Sequence, residues 1–66
     1  MHRTLYWEQT SLKRWTSASG YVTEENGTWT ANVYRNLRTG TAWTESKTGF
    51  AASADARRWV EREAED

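Results

Sequence analysis

The sequence predicts an α+β domain: a small antiparallel sheet of three to four strands with one C-terminal helix packed on one face. Three observations carry this reading. An Asn26-Gly27 pair stands between two runs of alternating, strand-forming residues; a third such run follows a turn at residues 36–40; and the last stretch repeats its apolar residues at helical spacing.

The central hairpin is the firmest element. Asn-Gly readily takes positive φ at both central positions of a type I′ turn, and residues 21–25 and 28–34 flank it as strands. A two-residue loop sets the register: Glu25 faces Thr28, Glu24 faces Trp29, Val22 faces Ala31 and Gly20 faces Val33. Opposed residues share a face, and faces alternate along a strand. One side therefore carries Gly20, Val22, Trp29, Ala31 and Val33, a core face with Glu24 at its rim. The other carries Ser19, Tyr21, Thr23, Thr30, Asn32 and Tyr34, and is polar and aromatic.

The next strand spans residues 41–47, and the length of the loop before it is open in the sequence. A four-residue loop places Ala42, Thr44 and Ser46 on the core side and Trp43, Glu45 and Lys47 on the polar side. That register keeps two charges off the core, so it is the expected one, and it exposes an indole. In the helix, residues 53–64, Ser53 is placed to cap the N-terminus, and Asp55 suits the positive end of the dipole. Ala56, Trp59, Val60 and Ala64 form its apolar stripe, expected to dock on Trp29, Ala31 and Val33, with Gly20, Ala42 and Thr44 allowing close approach. Arg57 and Arg58 are read as part of its solvated side. Residues 4–9 and 12–18 also look like strands, but no turn signal separates them and their order is open.

Length and composition bound the rest. Sixty-six residues make one domain, 1–66. A domain this small buries only ~60% of its unfolded surface. The five tryptophans, at 7, 15, 29, 43 and 59, therefore matter: burying one removes ~150–250 Å², about 4–6 kcal/mol as an upper bound. The absence of cysteine excludes disulfides and thiolate metal sites. Nine basic and nine acidic residues cancel, with +2 on residues 1–50 and −2 on residues 51–66. No apolar run marks a signal peptide or membrane span, so the cytoplasm of the producing or host cell is the expected compartment.

Catalysis is not expected. His2 is the only histidine and lies at the terminus, Glu24 and Glu25 point to opposite faces, and no serine or threonine has an evident base beside it. No cofactor or metal is called for. The candidate surface is the polar aromatic face: Tyr21, Asn32, Tyr34, Trp43 and Lys47, with Arg35 and Arg38 at its edge and Trp15 beside it.

The run Gly27-Thr28-Trp29-Thr30-Ala31-Asn32-Val33, then Gly49-Phe50, Ala56 and Trp59, resembles the three-strand-plus-helix DNA-binding domains at the amino ends of tyrosine integrases and in plant ethylene-response factors. The resemblance spans roughly residues 20–64. It implies that the sheet face away from the helix enters the major groove, with Tyr21, Asn32, Tyr34, Trp43 and Lys47 at the DNA and Arg35 and Arg38 on phosphate. Where those domains carry several arginines, this chain carries threonines and Glu45. Two functions follow as expectations: a nucleic-acid-binding module, encoded by a phage or mobile element, or a small protein-binding regulator that docks an aromatic patch on a larger partner. Either is compatible with a monomer or a homodimer, and neither involves a membrane.

Overall fold

The computed structural model describes residues 6–36 and 42–64. They form five antiparallel strands and a helix: β1 (Glu8–Ser11), β2 (Arg14–Thr16), β3 (Gly20–Glu25), β4 (Thr28–Asn36), β5 (Ala42–Phe50) and α1 (Ser53–Glu63). Each strand pairs with its neighbour in sequence, in the order β1-β2-β3-β4-β5, and α1 lies on one face, chiefly over β3 and β4. The α+β class and the helix position agree with the sequence; the strand number is higher because the first segment adds a hairpin of its own.

The β3–β4 hairpin has the expected register at every pair from Gly20↔Val33 to Glu25↔Thr28. Asn26 and Gly27 both have positive φ, 56° and 79°, as the turn demands. The β1–β2 hairpin turns through Leu12 and Lys13 without glycine or asparagine; instead the Ser11 hydroxyl accepts the Lys13 N–H at 3.2 Å. That is why no punctuation was visible there. The strand expected at residues 4–9 starts only at Glu8, and residues 1–5 lie outside the described part.

Five residues, 37–41, separate β4 from β5 rather than four, and this overturns the expected parity of β5. Asn32 pairs with Ser46 and Tyr34 with Thr44, whereas Ala31 faces Lys47, Val33 faces Glu45 and Arg35 faces Trp43. Trp43, Glu45 and Lys47 thus stand on the helix side, and Ala42, Thr44 and Ser46 on the open side. The charges are tolerated because β5 is an edge strand that α1 scarcely covers, and because Glu45 meets a cation from β4. A bulge then resets the alternation. Gly49, at φ 99°, opens the ladder between Lys47 and Phe50 and brings Phe50 opposite Trp29 on the helix side, where plain alternation would turn it outward.

The core is small. Val22, Ala31, Val33, Ala56 and Val60 are fully buried, and Trp7, Trp15, Trp29, Phe50, Trp59 and Ala64 pack around them half-exposed. The indoles form a girdle rather than a centre, since valine and alanine are the side chains that let a helix lie close to a sheet. Phe50 and Trp59 meet at a centroid distance of 6.4 Å. Trp15, opposite Val22, belongs to the core face rather than beside the polar one. Gly20 serves strand pairing, not helix approach: a Cβ there would run into the Asn32 carbonyl of β4.

Two details of α1 differ from expectation, and a third adds to it. Its N-cap is Ala52, in extended geometry and without a side-chain capping bond, and Ser53 is the first helical residue. The Arg57 guanidinium lies 4.1 Å from the Trp15 ring centroid and donates to the Ser53 carbonyl at 3.4 Å, so it is a packing residue. Trp7 Nε1 donates to the Glu61 carboxylate at 2.9 Å, fastening the chain before β1 to the helix.

Candidate functional site

The face of the sheet turned away from α1 carries no other described element. Pairing registers place Arg14, Thr16, Tyr21, Thr23, Thr28, Thr30, Asn32, Tyr34, Thr44, Ser46 and Thr48 on it. Threonine suits a solvated, pleated surface, and rows of it lie across the middle strands. Thr30 and Thr48 share a hydroxyl hydrogen bond of 2.9 Å between β4 and β5.

A short stack runs over this face. The Arg14 guanidinium carbon lies 4.5 Å from the Tyr21 ring centroid, and the Tyr21 and Tyr34 centroids are 6.0 Å apart, tilted by 46°. Cross-strand pairing explains both contacts: Arg14 and Tyr21 are diagonal neighbours across β2 and β3, and Tyr21 and Tyr34 diagonal across β3 and β4. Tyr34 remains 50% exposed, which leaves its ring free for contact.

Asn32 has a different role from the one expected. It is 8% exposed, its amide donates to the Tyr21 carbonyl at 3.4 Å, and its carbonyl oxygen accepts the Ser46 hydroxyl at 2.6 Å. Those bonds make it a pin between β3, β4 and β5 rather than a reader of a partner.

The remaining predicted residues are on the other side. Arg35 donates from Nε to Glu45 at 2.7 Å, from Nη2 to the Glu63 carboxylate at 2.6 Å and from Nη1 to the Glu63 carbonyl at 2.8 Å. The bond to Glu45 is the largest cause raising its pKa; desolvation opposes it, and the Glu63 carboxylate adds to the rise. One guanidinium thus joins β4, β5 and the last turn of α1, and it also satisfies a carbonyl that the helix end leaves open. Trp43 is 44% exposed on the helix side. Lys47 shares a cleft of about 390 Å³ with Gly49, Phe50, Arg58, Trp59 and Arg62, between the end of β5 and α1. Arg38 lies outside the described residues.

The structure therefore keeps Tyr21 and Tyr34 together, converts Asn32 and Arg35 into structural ties, and moves Trp43 and Lys47 to the far face. Sequence reasoning missed Arg14, because its placement depends on the unpunctuated turn at Leu12-Lys13. Among the described residues no group of three His, Asp or Glu side chains could hold a metal, and no helix is long and apolar enough to cross a membrane. Comparison with family models, with curated proteins and with solved structures found no match.

Proposed function

We propose that this chain is a non-catalytic binding module that docks on a protein partner through the open sheet face. The supporting observation is the Arg14–Tyr21–Tyr34 stack on a flat, otherwise hydroxyl-rich surface. Tyrosine and arginine are the residue types that carry most interface energy, and the contacts within the stack hold them in place before a partner arrives. The charges that the registers put on this face, Glu8, Arg14 and Glu25, give no positive excess. Phosphate neutralisation supplies most non-specific nucleic-acid affinity, so this face suits a protein better than a duplex.

A nucleic-acid reading has one observation of its own, on the opposite side. Lys47, Arg58 and Arg62, with Asp55 paired to Arg58, line the cleft beside α1 together with the half-buried rings of Phe50 and Trp59, and an excess of cations beside aromatic rings is a usual feature of single-strand binding. Two measurements separate the readings. Affinity capture from cells of the source organism with wild type, Tyr34→Ala and Lys47→Ala should recover a stoichiometric protein that Tyr34→Ala loses and Lys47→Ala keeps. Fluorescence anisotropy with labelled single and double strands at low salt should show no binding. Salt-sensitive binding to a single strand, abolished by Lys47→Ala, would reverse the choice.

A further inference from the structure

The two edges of the sheet are built differently. β1 has four residues and a bulge between Gln9 and Ser11, both of which discourage pairing with another chain. β5 has nine residues and no proline; its own bulge, at Gly49, comes only after an unbroken run over residues 42–47, and among the described residues its outer backbone edge is paired with no strand. Lys47 would guard this edge were it the only charge on the helix side of the strand, but Glu45 stands two residues before it. That spacing makes the strand complementary to itself.

We propose that β5 pairs antiparallel with β5 of a second copy, about a two-fold axis through Ser46. In this register Glu45 faces the partner's Lys47 within the regular run, Thr44 comes against the partner's Thr48, and Trp43 against the partner's Gly49, where the bulge interrupts the alternation. The first pairing is a reciprocal ion pair, made twice by symmetry; Glu45 Oε1 already accepts from Arg35, so the partner's Lys47 joins the pair at the other carboxylate oxygen. The second puts two hydroxyl residues together on the open face. The third gives the exposed indole a place to go. A Cβ at Gly49 would meet nothing within 4 Å, so the space above that residue is vacant. It opens on the cleft lined by Phe50 and Trp59. Each copy thus sets Trp43 over the partner's glycine at the mouth of the partner's cleft, aromatic against aromatic. The axis is perpendicular to the sheet, so both helices lie on one side and both open faces form one continuous surface of ten strands. Pairing consumes none of the Arg14–Tyr21–Tyr34 stack, so this inference stands apart from the partner proposed for that face.

The charge pattern supplies its own test. Lys47→Glu gives a copy with two acidic groups, Glu45→Lys a copy with two basic ones. Each should oppose itself, and the two should complement each other at both ion pairs. In sedimentation velocity over a concentration series reaching the millimolar range, wild type should form a dimer. Each variant alone should associate at least about ten-fold more weakly, and an equimolar mixture should recover wild-type association. Recovery also shows that both variants fold. Trp43→Ala, which leaves the ion pairs intact, should weaken the dimer by a similar factor. Wild type that stays monomeric overturns the proposal. So does a dimer indifferent to both charge changes or to Trp43→Ala, or a mixture of folded variants that remains monomeric.

Discussion

Replacing Arg35 by methionine tests whether this guanidinium is a structural tie or a surface cation awaiting a phosphate. Methionine keeps the apolar stem and removes three hydrogen bonds, one to Glu45 and two to Glu63. Bonds to charged groups contribute ~1.5–3 kcal/mol each when both partners are dry. Here the side chain of Arg35 is 21% exposed, but those of Glu45 and Glu63 are 54% and 36% exposed and regain water once the cation leaves. The Glu45 arm is therefore worth no more than an exposed pair, ~0.2–1 kcal/mol, and the two Glu63 arms together about 1.5 kcal/mol. The sum is about 2 kcal/mol. For a domain of 60–100 residues each kcal/mol moves Tm by ~4–8 °C, so Arg35→Met should lower it by roughly 8–16 °C. Circular dichroism during thermal and urea unfolding measures this, and high salt should shrink the difference because half of the network faces solvent. A fall of less than about 3 °C would show that Arg35 holds nothing together.

Other outcomes follow from single features. Ala52→Asp should add about 1 kcal/mol, because the N-cap lacks a side-chain acceptor and already has the extended backbone that capping needs; urea unfolding should show the gain. Gly49→Ala should cost about 1–2 kcal/mol through its positive φ alone, since the new methyl group meets no neighbour; a neutral result would remove the bulge argument. Trp7→Phe should cost roughly 1 kcal/mol from the lost bond to Glu61, and Glu61→Gln, which keeps an acceptor, should cost less in the same assay.

How far the sequence could be read depended on local punctuation. Asn26-Gly27 announces both its position and its loop length, so every pair of the β3–β4 register was legible. The apolar stripe of α1 was legible because Ala56 and Val60 recur one turn apart and both are fully buried. The β5 side chains were misassigned because alternation tells which residues share a face, not which face it is. A loop one residue longer exchanges the two, and residues 37–41 contain nothing that sets their number. Placing Glu45 and Lys47 in solvent was sound chemistry, but an edge strand offers solvent on both faces. The bulge at Gly49 then returned Phe50 to the side that simple alternation denied it. Asn32 and Arg35 read as contact residues because polar groups on strands look available until their partners are known. Ser46 and Glu63 lie 14 and 28 residues away in the chain.

The up-and-down order of the sheet also governs how the molecule comes into being. Each strand finds its mate immediately along the chain, and among the described residues no segment crosses over another. Low sequence separation between paired strands means that little loop-closure entropy precedes these contacts, whereas docking α1 on β3 and β4 closes much longer loops. The bend at Asn26 and Gly27 brings an unbroken strand pairing together across a loop of two residues.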